Sequence, residues 1–460
     1  MHARFVKYVG SVAEYPAHTL FAWYLGLVAV GAILLSLPPC RAAGADPLSL
    51  MDALFTATSA ASVTGLMVIS TESQLSFVGQ VVVLLLIQFG GLGIMTIGTL
   101  LFVSFTGRQP VRFHVLTKDT LGAPLSTDVQ RLILVVLAIT LLLEAIGALI
   151  LLLARLGDGP FAEVLWWAVF HAVSGFCNAG ISLQDASLSA WAGDPAVILT
   201  ITALIIAGGL GFPVLLDLVQ IRRKGMDRRT LRLHTSLVLT ATAILLVGGA
   251  LAVWLLEHDH ALGAMPAGQA AMNAFFQSAT ARSAGFSTMP VESLAYPSLS
   301  ILLLLMFIGG NSGSTAGGVK VSTFTVLILE GAAMARHRWQ TAAFGRRVPE
   351  RTLRTAATIV AVYIVVLITG IMLLLVLETH GQPHAEASGR FMDITFEGVS
   401  ALGTVGLSTG ITAELSQASQ GVIVVMMLLG RVGPLAMAST LLRHPAGPKI
   451  RFPQSEVIIG

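Results

Sequence analysis

FTATSAASVTG (Phe55–Gly65), FHAVSGFCNAG (Phe170–Gly180), FFQSATARSAG (Phe275–Gly285) and FEGVSALGTVG (Phe396–Gly406) are four versions of one segment. Each opens on Phe, closes on Gly ten positions later and carries Ser or Ala four residues after the Phe. The closing glycines are 115, 105 and 121 residues apart. That regularity marks one structural unit used four times. Packing alone gives no reason to repeat a small-residue, Gly-terminated segment between the longest apolar runs of a chain, so the repeat is the functional signal.

The surroundings of the repeats are those of a membrane protein. The 460 residues are 55% hydrophobic and 11% charged, with a mean hydropathy of +0.82, more apolar surface than one water-soluble core can bury. A hydrocarbon core about 30 Å thick takes about 20 apolar residues of helix to cross. Eight runs reach that length, at about 19–38, 77–104, 131–155, 196–220, 235–256, 297–335 (interrupted), 355–377 and 420–442. The first is too long for a signal peptide and lacks a cleavage site in the right place, so it reads as a retained helix. One repeat falls between each odd run and the next even one. The expected fold is an all-α polytopic membrane protein of four helix, pore-loop, helix repeats with pseudo-fourfold symmetry around one pore. A single membrane domain over 1–460 divides into repeats at about 19–105, 131–221, 233–335 and 355–442.

Charge sets the orientation. Of the 27 Lys and Arg, 21 fall in the segments 1–18, 106–131, 221–234, 336–354 and 443–460. The positive-inside rule makes that face cytoplasmic, with both termini inside. The opposite face holds Asp185, Glu257, Glu292, Glu378, Glu397 and other acids. Two readings are open: acids left over once the bases are kept inside, or a field that concentrates cations at a pore mouth. A basic face held against a membrane also excludes nucleic acid as a partner.

A segment such as Met51 to Ser62 is too short to span and lies on the outer side, as a re-entrant half-helix would. Non-helical backbone is tolerated at membrane depth only where it is buried in protein or lines water. Each half-helix is followed by a small or polar stretch ending in Gly: Ser62-Val63-Thr64-Gly65, Cys177-Asn178-Ala179-Gly180, Arg282-Ser283-Ala284-Gly285 and Gly403-Thr404-Val405-Gly406. Glycine permits the backbone angles that turn carbonyls toward an axis. Four such stretches around one axis would replace the hydration shell of a cation, with the negative ends of the half-helices pointing at it.

Thr404-Val405-Gly406 resembles the filter sequence of potassium channels, and the four-repeat pattern is similar to the Ktr/Trk/HKT superfamily of potassium transporters, most like its KtrB-type membrane subunit. The resemblance covers essentially the whole chain. It implies potassium uptake across the bacterial inner membrane, no catalysed reaction, and a filter with one glycine per repeat where channels have two. It also implies a homodimer with two separate pores, seated on a cytoplasmic ring of RCK-type nucleotide-binding regulatory subunits. No dinucleotide-binding fingerprint occurs in the chain, so that ring would be another polypeptide. No cofactor is expected in this chain; K⁺ is the expected permeant ion. A sodium-permeable or sodium-coupled symporter of the same fold is the alternative, because Ser62 and Cys177 at filter positions change side-chain size near the axis.

A second signature follows each closing glycine: Gly90-Gly91-Leu92-Gly93, Gly208-Gly209-Leu210-Gly211, Gly309-Gly310-Asn311-Ser312-Gly313 and Gly430-Arg431-Val432-Gly433. Close helix packing through small residues explains the first two. The third continues as Ser314-Thr315-Ala316-Gly317-Gly318, a poorly helical stretch inside a spanning run. The resemblance implies an intramembrane loop there, lying under the filter and gating it.

A charge at mid-bilayer costs about 2.5–3.5 kcal/mol on insertion scales, so the cations in these segments need an account. Arg431 is either an electrostatic barrier below the filter or a structural group on backbone carbonyls. Lys320 either anchors the loop or reaches the cytoplasm. Arg282 is expected to brace the filter from behind, since a cation on the axis would repel the permeant ion. Glu144 is a packed contact, a dimer or lipid boundary residue, or a proton relay. Asp217 and Glu330 read as solvated helix ends. Gly310-Asn311-Ser312-Gly313 also matches the serine motif of intramembrane proteases, but the later histidines His337, His380, His384 and His444 sit in or beside loops. Cys40 and Cys177 form no metal pattern and no supported disulfide.

Overall fold

The computed structural model describes residues 16–105, 125–224, 231–383 and 389–433. The basic stretches at 1–15, 106–124, 225–230 and 443–460, the end of the last apolar run, His384 and His444 lie outside these residues. Among the described residues fourteen α-helices follow in chain order, with two very short strands. The first unit contains α1 (Pro16–Leu35), α2 (Leu50–Ala61) and α3 (Phe77–Phe105), and the second α4 (Leu125–Ala154), α5 (Phe161–Cys177), α6 (Pro195–Leu210) and α7 (Phe212–Lys224). The third contains α8 (Leu233–Glu257), α9 (Ala267–Thr280), α10 (Tyr296–Phe307) and α11 (Val321–Ala335), and the fourth α12 (Glu350–Thr379), α13 (Arg390–Gly403) and α14 (Gln417–Val432). The strands, Ala342–Ala343 and Arg346–Arg347, form a hairpin between α11 and α12, a small departure from the all-helical expectation. Phe344 and Gly345 turn it at positive φ, as a two-residue hairpin requires.

Three helices are long and apolar enough to cross a membrane by themselves, Leu134–Ala154, Leu233–Glu257 and Glu350–Thr379. Each shows an apolar stripe to the outside at helical spacing: Leu142, Ile146, Leu149 and Leu153; Ile244, Val247, Leu251 and Leu255; Val365, Ile368, Met372 and Val376. Stripes of that size on a monomer are surfaces for lipid or protein, not water. The short helices α2, α5, α9 and α13 are the opposite case, buried along most of their length.

Within each unit the short helix packs between its neighbours, and the units interlock in one direction. The helix that follows the short one in each unit lies against the short helix of the next: α3 on α5, α6 on α9, α10 on α13, and α14 back on α2. The glycine signatures instead let that helix close on the short helix of its own unit. A methyl group on Gly90 would fall on the Ala61 carbonyl, one on Gly208 on the Phe176 carbonyl, and one on Gly430 on the Leu402 carbonyl. Close packing thus accounts for the fourth copy as well as the first two. Gly430→Ala is therefore expected to destabilise the detergent-purified protein by about 1–3 kcal/mol, the usual cost of overpacking. A glycine needed only for helix geometry gives the opposite sign, because alanine is the better helix former. An unchanged or raised melting temperature contradicts the packing role.

The run expected as one helix over 196–220 is instead bent by 101° at Gly211. The sequences Gly90-Gly91-Leu92-Gly93 and Gly208-Gly209-Leu210-Gly211 are identical, yet α3 continues through the first. Pro213 supplies the difference: it has no N–H to give the Gly209 carbonyl and cannot continue a regular helix turn. The freed groups are taken by the third unit. The Asn311 N–H donates to the Gly209 carbonyl at 3.0 Å, the Thr315 N–H to Gly208 at 3.3 Å, and Phe212 donates to the Gly313 carbonyl at 3.0 Å. The Asn311 side-chain amide donates to the Leu210 carbonyl at 3.1 Å. Gly211 takes φ +83°, and Gly433 at the end of α14 takes the same angle.

Candidate functional site

The four Gly-terminated segments meet at the centre of this arrangement. Each leaves its short helix through a residue in the left-handed region, Val63 (φ 55°), Asn178 (φ 60°), Ser283 (φ 74°) and Thr404 (φ 45°). Two positions later each enters that region again at glycine: Gly65, Gly180, Gly285 and Gly406. Asparagine tolerates such angles; the branched Val63 and Thr404 do not, at roughly 1–2 kcal/mol each. Backbone held there in corresponding places of four segments is imposed by its surroundings, as is common where function needs it.

Those surroundings form a closed circuit. A methyl group on Gly65 would strike the Ala179 carbonyl, one on Gly180 the Ala284 carbonyl, one on Gly285 the Val405 carbonyl and one on Gly406 the Thr64 carbonyl. The residue before each glycine thus presents its carbonyl to the preceding segment's glycine, around all four units.

The Ser or Ala of each repeat explains itself here. The Ser59 and Ser400 hydroxyls accept the N–H of Gly65 and Gly406, both at 3.0 Å. The Ser174 hydroxyl donates to the Ile181 carbonyl at 2.8 Å. In the third unit, where Ala279 has no hydroxyl, Thr280 does this instead, donating to Phe286 at 2.7 Å.

On one side the ring opens into a cavity of about 650 Å³, lined by the four glycines with Asp185 and Glu292 among others. Several acids placed on the outer face have structural duties instead. Glu257 and Glu397 are completely buried. Glu257 accepts the Ala295 N–H at 3.0 Å just ahead of α10, and Glu378 accepts the Ser416 N–H at 3.0 Å just ahead of α14. These contacts satisfy donors that a helix start leaves unpaired.

On the other side lies Gly309 to Val319, buried apart from Ser312 and Gly313. Its ends are tied together: Gly309 donates to the Val319 carbonyl and Val319 to the Phe307 carbonyl, both at 3.1 Å. The loop also touches the segments directly. The Ser283 hydroxyl donates to the Thr404 carbonyl at 2.7 Å and accepts the Gly317 N–H at 2.8 Å. The Thr315 hydroxyl lies 3.3 Å from the Phe176 carbonyl and 3.2 Å from Asn178 Oδ1. Gly317 packs so closely on Thr404 that a side chain there has no room.

Arg431 joins this loop to the first unit. Its guanidinium donates to the Thr315 carbonyl, to the Gly90 carbonyl at 3.1 Å and to the Tyr24 hydroxyl at 3.2 Å, while Tyr24 donates to Gly90 at 2.7 Å. Nothing in the pattern of the repeats singles out Tyr24. Lys320 is folded back on the loop, donating to the Ala316 carbonyl at 2.7 Å. Arg282, 7% exposed, lines a small cavity with Asn178, Gly209, Thr242 and Gly310. Glu144 is buried and not at a lipid boundary; it accepts from the Gln88 amide at 3.3 Å and lies 3.8 Å from the Cys177 sulfur. Asp217 and Glu330 are not free solvated ends. Asp217 accepts from Thr235 at 2.5 Å and pairs with Arg232 at 3.6 Å, and Glu330 accepts from Thr341.

The protease motif finds no support in this geometry. The Ser312 hydroxyl faces Ser322 at 3.5 Å, and the histidine nearby, His234, meets Asn311 at 3.2 Å. Cys40 and Cys177 are both free and buried.

Comparison with known proteins covers nearly the whole chain. The family TrkH, described as "Cation transport protein", matches residues 37–448. The Ktr system potassium uptake protein B of Vibrio alginolyticus is 37% identical over 439 residues, spanning 95% of this chain and 93% of that protein. The potassium/sodium uptake protein NtpJ of Enterococcus hirae is 34% identical, spanning 97% of both. The crystal structure of the potassium transporter TrkH from Vibrio parahaemolyticus shares the fold, with a TM-score of 0.72 at 21% identity over 94% of this chain and 85% of the other.

Proposed function

The chain belongs to the TrkH family of cation transport proteins, and from that premise we propose that it takes up potassium through a pore on the pseudo-fourfold axis of its four units. The circuit of glycines and carbonyls carries the reading. Carbonyl oxygens facing an axis can replace the hydration shell of an alkali cation, whereas a side-chain pocket would read one substrate orientation only. One glycine per segment makes the filter short. The short helices end at the ring, so their negative ends favour a cation there, and the cavity above it, with Asp185 and Glu292 in its wall, feeds it. The loop from Gly309 to Gly318 is the gate, closing the path on the side opposite that cavity, and Arg431 is its latch.

The rest of the proposal follows the charge pattern and the family resemblance of the sequence. The chain works in the bacterial inner membrane with both termini in the cytoplasm, as a homodimer on a separate ring of nucleotide-binding regulatory subunits. Sodium is the competing ion, since NtpJ is named for both. Purified protein in liposomes, given equal inward gradients of K⁺ or Na⁺, is expected to pass K⁺ the faster. Equal rates, or faster Na⁺, overturn the potassium assignment. Absence of both fluxes overturns the transport reading.

A further inference from the structure

The repeat position directly after the leading phenylalanine holds four different residues, Thr56, His171, Phe276 and Glu397. Two of them are ionisable types and completely buried, and both do the same thing. His171 Nε2 lies 3.0 Å from the hydroxyl of Ser182, two residues past Gly180. Glu397 accepts from the hydroxyl of Ser408, two residues past Gly406, and from Thr412 at 3.1 Å. The Trp167 carbonyl, 2.8 Å from His171 Nδ1, fixes a hydrogen on that nitrogen in the neutral ring. Nε2 is therefore the acceptor for the Ser182 hydroxyl.

In the other two units this tie is missing. Met67 stands where the serine would be, and the Thr56 hydroxyl has no partner. In the third unit the equivalent positions are Phe276, which has no polar side-chain atom, and Ser287, whose hydroxyl donates to the Met289 carbonyl. The second and fourth units are diagonal in the circuit. Both tied serines line the 650 Å³ cavity at the ring, and both sit on the backbone that leaves the ring glycine.

We infer that His171 and Glu397 are positioning residues that clamp the outer ends of two opposite filter segments, through Ser182 and Ser408, and so set the discrimination between cations. The inference rests on the ion-filter reading. A buried carboxyl or imidazole is a costly way to hold a loop, but a side chain rooted in a rigid helix fixes a hydroxyl, and the ring carbonyl three residues before it, more sharply than loop packing does. The clamp is also self-contained. The Ser408 hydroxyl accepts the Gly410 N–H at 2.9 Å and lies 2.9 Å from the Thr412 hydroxyl, while Ser182 accepts the Gln184 N–H at 3.0 Å.

The test is the ratio of K⁺ to Na⁺ flux in liposomes, for variants that elute as folded protein. Glu397→Ala, Ser408→Ala, His171→Ala and Ser182→Ala are each expected to lower the ratio by about three- to tenfold, the effect of one lost hydrogen bond. The pair Glu397→Ala with Ser408→Ala should do no more than the worse single change. Ser408→Thr and Ser182→Thr, which keep the hydroxyl, should restore the ratio to within about twofold, and Ser287→Ala, in a unit without the tie, should leave it unchanged. If the glutamate variant does not fold, the contrast of Ser408→Ala with Ser408→Thr decides. An unchanged ratio in the serine variants overturns the clamp, as does a multiplicative loss in the double variant. Gly406→Ser in the same assay separates the two readings: if it too leaves the ratio unchanged, the filter itself is misassigned and the clamp falls with it.

Discussion

Gly406→Ser is expected to lower the preference for potassium over sodium by at least about tenfold, because two independent constraints exclude a side chain there. The first is conformational. Gly406 holds φ +92°, an angle L-residues seldom adopt, and strain of this kind is worth about 1–3 kcal/mol. The second is steric: the added carbon falls on the Thr64 carbonyl and comes within 2.9 Å of the Gly65 Cα. Relieving the strain moves the fourth unit's own segment, and relieving the clash moves that segment or the first unit's, in either case displacing an oxygen proposed to hold the ion. Gly389 separates the effects. It has φ +89° in the same unit but nothing within 4 Å of an added carbon, so Gly389→Ser should strain the backbone and leave the ratio of fluxes where it was. Equal losses in both variants contradict a filter at Gly406, because strain alone would then explain them.

Arg431→Ala is expected to raise the flux of folded protein by about tenfold or more. Three contacts of the guanidinium hold the loop and the first unit together, and hydrogen bonds from a charged donor are worth about 1.5–3 kcal/mol each. Losing one such bond selectively from the closed state shifts a closed–open balance by about tenfold. Shortening the loop within Gly309–Gly318 should act in the same direction, since the segment is proposed to obstruct the path and not to build the filter. Arg431→Lys is an informative intermediate: it keeps the charge but cannot reach three acceptors in a planar fork. A fall in flux for well-folded Arg431→Ala contradicts the latch and assigns the residue to structure alone.

Much of the architecture was legible because it is written in periods. The apolar runs, the four Phe-to-Gly segments and the interruption at Gly309 all depend on residue types that recur in register. What depends on a partner elsewhere in the chain was hidden. The identical stretches at Gly90 and Gly208 fold differently because Pro213 follows the second and a loop about 100 residues later accepts the broken ends. Val63 and Thr404 have side chains that argue against left-handed backbone, so nothing local announces their angles. The duties of Glu257, Glu378 and Glu397 were hidden because composition shows the side of the membrane and not the hydrogen-bond partner. His171 and Glu397 share a repeat position with Thr56 and Phe276, and a position that varies in all four copies carries no repeat signal.

The central claim is that Thr64, Ala179, Ala284 and Val405 turn their carbonyls to one cation on a common axis. Thallium(I), a potassium mimic with a strong anomalous signal, tests it most directly in crystals of the intact protein soaked without other monovalent cations. An anomalous peak is expected on the axis at the level of those four carbonyls, lost when excess K⁺ is added and weakened in Gly406→Ser. Thallium bound only at the acidic wall of the outer cavity, with no peak among the four segments, would contradict it.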